Sequence, residues 1–485
     1  MELLANLAMG FEAALSPVLL FYCAVGVTVG TMVGVLPGIG PLVAISVLFP
    51  LTFHVPPDAA LIMLAGIYFG AQYGGSTASI LLNLPGTASN AVTCLDGYPM
   101  ARQGRAGVAL FMTTIASFAG GCGALVVLIV LTPVIVKVAL SFGAPEYFAL
   151  MVLGLLAAAT LSVGSPLKGI AMVVLGVLLG LIGTDVNSGQ YRFVFGLPAL
   201  ADGLNLVALA MGLFGVSEIV GRLVAGDVTG RPERVGWAQM MASRDDMRRS
   251  RMPMVRGTLW GVLCGILPGA GPSLAAFLSY GAEKRVSRTP ERFGHGAIEG
   301  IVAPEAANNA SVQAAFIPTL SLGIPGDAVM ALMLGALIVH GIQPGPNLIP
   351  ENPGLFWSLV ASFWIANILL MVLNLPMIGL WVRLLTIPYS VLYPAVLVFI
   401  SVGVYSLRLS SFDVAVVLVC GAIGYAMQLV RLPTAPLLLG FILGAPLEEN
   451  LRRALLISRG DLSVFVDRPI AATLLALSVA LVAAA

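Results

Sequence analysis

One apolar sentence with a helix-breaking centre occurs twice in this chain, as GVLPGIGPLVA at residues 34–44 and GILPGAGPSLA at 265–275, with the same letter at seven of eleven positions. Each copy sets Pro-Gly inside a stretch apolar enough for a bilayer. Proline has no N–H to give a helix, and glycine costs roughly 0.5–1 kcal/mol relative to alanine in a helix interior. A helix interrupted within hydrocarbon frees polar backbone that protein, ion or ligand must satisfy. A chain that builds this interruption twice is expected to bind something at it.

The surroundings exclude an ordinary soluble enzyme. The 485 residues are 59% hydrophobic and 10% charged, with a mean hydropathy of +0.99, which reads as an all-α polytopic membrane protein of about ten to twelve transmembrane segments. The net charge of +1 implies no nucleic-acid partner. Cys23, Cys94, Cys122, Cys264 and Cys420 are scattered and odd in number, so neither a disulfide framework nor a metal knuckle is expected. His54, His295 and His340 show no ligand spacing, and the N-terminus lacks the basic region of a signal peptide, so its first apolar segment is expected to be retained.

Two further breaks follow the first pair in the same order: SILLNLPGT (79–87) parallels TLSLGIPGD (319–327). Ala116-Ser117-Phe118 parallels Ala361-Ser362-Phe363, and Ser165 and Gly176 parallel Ser410 and Gly421. The expected organisation is a first repeat over 1–221, a basic linker over 222–256, a second repeat over 257–469 and a last span over 470–485.

Lys and Arg are retained on the cytoplasmic side of membrane proteins. None occurs before Arg102, which places the N-terminus and the loop HVPPD (54–58) outside, whereas the equivalent loop of the second half, EKRVSRTPER (283–292), is basic and reads as cytoplasmic. The next pair reverses in the same sense: YPMARQGR (98–105) is basic, whereas IQPGPNLIPENPG (342–354) has no positive charge. The linker, with eight arginines, is cytoplasmic by the same rule. Segment 257–281 then starts and ends at cytoplasmic charge with its break between, the pattern of a re-entrant hairpin; two short full spans are the alternative. Its counterpart enters from outside, so the halves are expected to be inverted-topology repeats, an architecture common among secondary transporters.

No Walker motif, HExxH, nucleophile elbow or Cys/His constellation occurs, and Asp327 after Pro325-Gly326 has no second acid in an equivalent motif, which sets aside an intramembrane aspartyl protease. The breaks themselves carry the chemistry. The start of a helix offers N–H groups to a carboxylate, and the end of one offers C=O groups to a cation. A single exposed terminus contributes only about 0.3–1 kcal/mol, so several must converge to hold an anion without an arginine. The expected substrate-binding residues are Gly38, Gly40 and Pro41; Ser76, Thr77, Pro85, Gly86, Thr87, Ser89 and Asn90; Gly269, Gly271, Pro272 and Ser273; and Asn308, Asn309, Ser311, Pro325 and Gly326. Asn83, Glu305 and Asp327 are the expected cation ligands; the two acids are singled out because a charge at membrane depth costs about 2.5–3.5 kcal/mol on insertion scales, which marks them for a use. Lys137, Glu146 and Lys168 are expected to mark span ends, and residues 183–203 to form an extracytoplasmic loop suited to docking.

Four stretches resemble the large membrane subunit of the tripartite tricarboxylate transporters, the TctA family: GVLPGIGPLVAISVLFPLTF (34–53), YGGSTASILLNLPGTASNAVTCLDGYPMARQGRAG (73–107), GILPGAGPSLAAFLSYGAEKR (265–285) and APEAANNASVQAAFIPTLSLGIPGDAVMALMLGALIVHGIQPGPNL (303–348). The resemblance implies a multi-pass protein of the bacterial inner membrane. It implies two protein partners, a small four-span membrane subunit (TctB-like) and a periplasmic solute-binding protein (TctC-like), a carboxylate substrate, membrane lipid around it, and Na⁺ as the coupling ion with no other cofactor. A channel, or a membrane scaffold or enzyme without transport, are the rival readings.

Overall fold

Described is a computed structural model covering residues 2–36, 40–139, 141–160, 165–185, 188–225, 237–267, 269–345, 347–385 and 389–484. The first half supplies α1 (Glu2–Ala14), α2 (Pro17–Val35), α3 (Pro41–Thr52), α4 (Pro57–Leu82), α5 (Ala91–Met100), α6 (Ala106–Ala139), α7 (Ala144–Thr160), α8 (Pro166–Gly180), α9 (Leu206–Ala210) and α10 (Ser217–Ala225). The second supplies α11 (Arg244–Ile266), α12 (Gly271–Val286), α13 (Glu299–Ala314), α14 (Phe316–Leu322), α15 (Ala328–Val339), α16 (Leu348–Glu351), α17 (Pro353–Asn374), α18 (Ile378–Leu384), α19 (Tyr389–Arg408), α20 (Ser411–Leu429), α21 (Thr434–Ile457), α22 (Val464–Asp467) and α23 (Pro469–Ala484). Among the described residues the one strand pairing is the two-residue ladder of β1 (Gly183–Thr184) with β2 (Tyr191–Arg192), so the all-α expectation holds. Four helical stretches are long and apolar enough to cross a membrane in one pass, Pro17–Val35, Ala88–Ile135, Pro353–Asn374 and Ser411–Leu429, and shorter apolar helices fill in around them, as broken spans require.

Proline starts many of these helices, standing in the first turn of α2, α3, α4, α8 and α17, where the missing N–H is not needed. Left-handed residues stop two of them at the breaks: Asn83 ends α4 with φ 56°, and Gly323 ends α14 with φ 70°.

The core of the bundle is built on two glycine seams. Along α2, a Cβ on Gly26, Gly30 or Gly34 would lie 2.2–2.3 Å from the carbonyl oxygens of Met63, Ile67 and Ala71 on α4. Along α11, a Cβ on Gly257, Gly261 or Gly265 would lie 2.2–2.4 Å from the carbonyl oxygens of Ala303, Ala307 and Ser311 on α13. Backbones this close are how membrane helices gain dispersion contact where lipid offers no hydrophobic drive. The seams continue into the breaks in matching register, for Gly86 abuts the Gly34 carbonyl and Gly75, while Gly326 abuts the Gly265 carbonyl and Ala315. The sequence duplication is therefore a duplication of packing.

Around this core stand two groups of helices, each drawn from both halves. In one, α8 lies along α21, with Gly176 and Gly180 against Leu437 and Phe441, and α7 and α23 complete it. In the other, α20 lies along α9 and α10 through Gly212 and Gly424, joined by α19, with α3 packed on it. The two halves thus exchange helices, α21 crossing to α8 and α20 crossing to α9 and α10.

Ion pairs fasten the ends. Arg105–Asp246 at 2.6 Å, Arg249–Glu299 at 2.8 Å and Arg256–Glu283 at 2.6 Å hold one end of α11, α12 and α13. Part of the basic linker, 226–236, lies outside the described residues, and from Arg244 the rest is α11 itself, running unbroken past position 256 to Ile266. Glu146 pairs with Arg468 at 2.8 Å, and the Lys168 ammonium donates to the Val430 carbonyl at 2.7 Å. The 183–203 segment is clasped to α21 by Arg192, which bridges Asp185 and Glu448 at 2.7 Å each. Hydrogen bonds from Arg192 hold the Glu448 carboxyl below the usual glutamate range, so this clasp is present at neutral pH and loosens as pH falls through that lowered value.

Candidate functional site

The four breaks meet. The α2–α3 hairpin presents Gly40 and Pro41, and the turn after α4 presents Pro85, Gly86, Thr87 and Ser89. The α11–α12 hairpin presents Gly269, Gly271, Pro272 and Ser273, and the start of α15 presents Asp327. Together they line a cavity of ≈ 1000 Å³, whose wall also includes Glu218 of α10, Ala158 of α7 and Pro433–Pro436 at the start of α21. The breaks also bond one another: the Gly269 N–H donates to the Gly326 carbonyl at 2.8 Å, which ties the second hairpin to the second broken helix. The cavity consequently lies between the seamed core and the two outer groups of helices.

Its electrostatics come from backbone and acids. The starts of α3, α12 and α15 open onto it, which supplies N–H groups and partial positive charge. At the third of these, Asp327 already takes the helix start: its Oδ1 accepts from the Met330 N–H at 2.9 Å, and its Oδ2 accepts from the Tyr68 hydroxyl at 2.6 Å. Among the described wall residues the charged side chains are Asp327 and Glu218, with no Lys, Arg or His. An anion entering here meets helix starts, hydroxyls and two carboxylates.

Eleven of the residues expected from the sequence stand on the wall: Gly40, Pro41, Pro85, Gly86, Thr87, Ser89, Gly269, Gly271, Pro272, Ser273 and Asp327. Gly38 lies outside the described residues. Ser76, Thr77 and Asn90 are buried one layer behind, where the Asn90 amide donates to the Ser76 hydroxyl at 3.3 Å. Pro325 and Gly326 form the backbone of the fourth break rather than its face. Asn308, Asn309 and Ser311 are buried in α13 away from the wall; Asn309 bonds the Glu305 carbonyl at 3.1 Å, while both amide atoms of Asn308 and the Ser311 hydroxyl have no hydrogen-bond partner among the described residues. Of the three expected cation ligands, only Asp327 faces the cavity. Asn83 is exposed at the end of α4, and Glu305 is buried off the wall among hydroxyl and amide donors.

Sequence reading missed Tyr68, Gln72 and Glu218. Tyr68 and Gln72 lie one turn apart on α4, and their i, i+4 spacing before the first polar cluster was a signal available to find them. Glu218 and the Pro433–Pro436 turn reach the cavity only through the exchange of helices between halves, which no local pattern announces.

The model of the tripartite tricarboxylate transporter TctA family matches residues 20–439. A curated relative from Agrobacterium vitis, described as an uncharacterized 52.8 kDa protein in the TAR-I ttuC' 3' region, is 54% identical over 485 residues, covering 99% of this chain and 96% of the relative. Another from Agrobacterium vitis, an uncharacterized protein in the TAR-II ttuC' 3' region, is 57% identical over 217 residues, covering 45% of this chain and 90% of the relative. No solved structure matches this chain.

Proposed function

The chain belongs to the tripartite tricarboxylate transporter TctA family, and from that premise we propose that it is the subunit through which a di- or tricarboxylate crosses the bacterial inner membrane by cation-coupled alternating access. The observation that carries this reading is the meeting of all four helix breaks around one cavity whose charged side chains are acids. Helix starts of α3 and α12 take the substrate carboxylates, and Na⁺ beside Asp327 neutralises the remainder. Without a cation the substrate and the Asp327 carboxylate carry the same sign.

Energetics favour the same coupling. Each negative charge brought into an inside-negative cell costs roughly 2.3 kcal/mol per 100 mV. A dicarboxylate therefore needs about three cations for the membrane potential to assist its entry. The cavity's position between the seamed core and the outer helices supports an elevator-like motion, in which the core carries the breaks past the outer groups. Inverted repeats supply the two equivalent gates, with the N-terminus periplasmic, and a TctC-like binding protein delivers the carboxylate while a TctB-like subunit completes the membrane complex.

Uptake by the full complex in proteoliposomes tests this reading. Labelled di- and tricarboxylates are expected to accumulate under an inward Na⁺ gradient and an inside-negative potential, and not without them. Accumulation independent of any cation would refute coupling, and ion currents far above substrate flux would favour a channel. In the same vesicles a cysteine in place of Pro56 should be labelled from the outside and one in place of Arg288 from the cytoplasmic face. Labelling of both from one face would refute the inversion.

A further inference from the structure

Glu305 is 1% exposed on α13, and no Lys, Arg or His forms an ion pair with it among the described residues. Its partners are neutral donors. Oε1 accepts from the Asn90 amide at 3.0 Å and the Thr93 hydroxyl at 2.5 Å, and Oε2 accepts from the Ser117 hydroxyl at 3.5 Å. The titratable groups near it are Tyr73 on α4 and Cys94 on α5, with Cys122 of α6 beside Tyr73, and none brings positive charge. A carboxylate buried without a positive partner is costly to keep charged, and inside a membrane-embedded bundle such a group marks a functional site.

A chain of side chains connects Glu305 to the cavity, which it does not itself line. The Asn90 Oδ1 accepts from the Thr87 hydroxyl at 2.5 Å. Thr87 also reaches the Gln72 Oε1 at 3.0 Å and the Ser89 hydroxyl at 2.8 Å, and Ser89 donates to the same Gln72 oxygen at 2.8 Å. Thr87, Ser89 and Gln72 all line the cavity. The Thr87 hydroxyl has one proton for three neighbours, so its direction is decided by what Asn90 presents.

Resting on the transport reading above, we propose that Glu305 is a charge-coupling site separate from the substrate cavity, which takes up one H⁺ or Na⁺ and passes its occupancy to the cavity floor through the Asn90 amide. With Glu305 ionised, Asn90 turns its N–H₂ to the carboxylate and its oxygen to Thr87, which donates to it. With a proton or Na⁺ on Glu305, the Asn90 oxygen turns to that charge and its N–H₂ faces Thr87. Thr87 must then donate toward Gln72 or Ser89, which changes the donors offered to a carboxylate in the cavity. Both ions act through this one amide.

Glu305→Gln imitates the neutralised state. In proteoliposomes it is expected to keep substrate counterflow within about threefold of wild type, while gradient-driven accumulation falls by about tenfold or more, inside the usual range for coupling between sites. Separate Na⁺ and pH gradients identify the ion, because dependence on the one bound at Glu305 should vanish and dependence on the other remain. Unchanged accumulation with both dependences intact would overturn the proposal. If Glu305→Gln fails counterflow, Asn90→Ser decides: counterflow retained with one ion dependence lost upholds the relay, and any other result overturns it. Absence of wild-type uptake under every gradient would instead count against the transport reading itself.

Discussion

Gly40→Phe is expected to abolish carboxylate uptake while leaving the protein folded. Gly40 precedes α3 with φ −65° and ψ 174°, a backbone any residue adopts, and among the described residues no heavy atom beyond its chain neighbours lies within 4 Å of the place its Cβ would take. The residue lines the cavity, so the new ring grows into the space proposed for substrate. Uptake should fall roughly 100-fold or more, equivalent to about 2.7 kcal/mol of lost binding, with a melting temperature close to wild type. Gly269, the second hairpin's counterpart of Gly38, offers no such clean substitution. Its φ is +80° and a Cβ there would stand 2.2 Å from the Ala158 Cα of α7, so Gly269→Leu disturbs packing as well as the site. Normal uptake by Gly40→Phe would show that substrate passes elsewhere.

Asp327→Asn is expected to separate the charge of the cavity from the stability of its wall. Asn caps a helix as well as Asp does, so the start of α15 should survive and thermal stability should change little. The negative charge facing the cavity is lost, and half-maximal uptake should require at least about tenfold more Na⁺. Asp327→Leu removes the cap as well and should cost about 1 kcal/mol of stability in addition. Tyr68→Phe removes the hydroxyl that orients the carboxylate, a hydrogen bond to a charged group worth about 1.5–3 kcal/mol. Its effect should fall on the same Na⁺ dependence. An unaltered Na⁺ requirement in Asp327→Asn would remove the cation from this carboxylate.

The breaks were legible because Pro-Gly in an apolar run has a backbone cost that is local in sequence. Their convergence was partly legible, since the duplicated LPG and PG motifs predict equivalent elements, and the glycine seams from Gly26 to Gly34 and from Gly257 to Gly265 repeat at the same spacing. The rest of the wall was not legible. Glu218 and Pro433–Pro436 arrive through helices that cross between halves, and such long-range pairing leaves no periodicity in either segment. Polar clusters misled in a different way. Asn308 and Ser311 share a face of α13, and only the packed structure separates those that line the cavity from those buried behind it. Asn83 looked like a ligand from its neighbours in sequence, whereas it serves as a left-handed helix stop on an exposed turn.

The central claim is that the helix breaks form one carboxylate site, and the most direct measurement is substrate protection of a thiol placed within it. Ser273 lines the cavity at the first turn of α12. In Ser273→Cys a transported carboxylate, with Na⁺ present, should slow labelling by a small maleimide, with half-maximal protection at the concentration that gives half-maximal uptake. A carboxylate that is transported yet leaves the labelling rate unchanged would contradict the account.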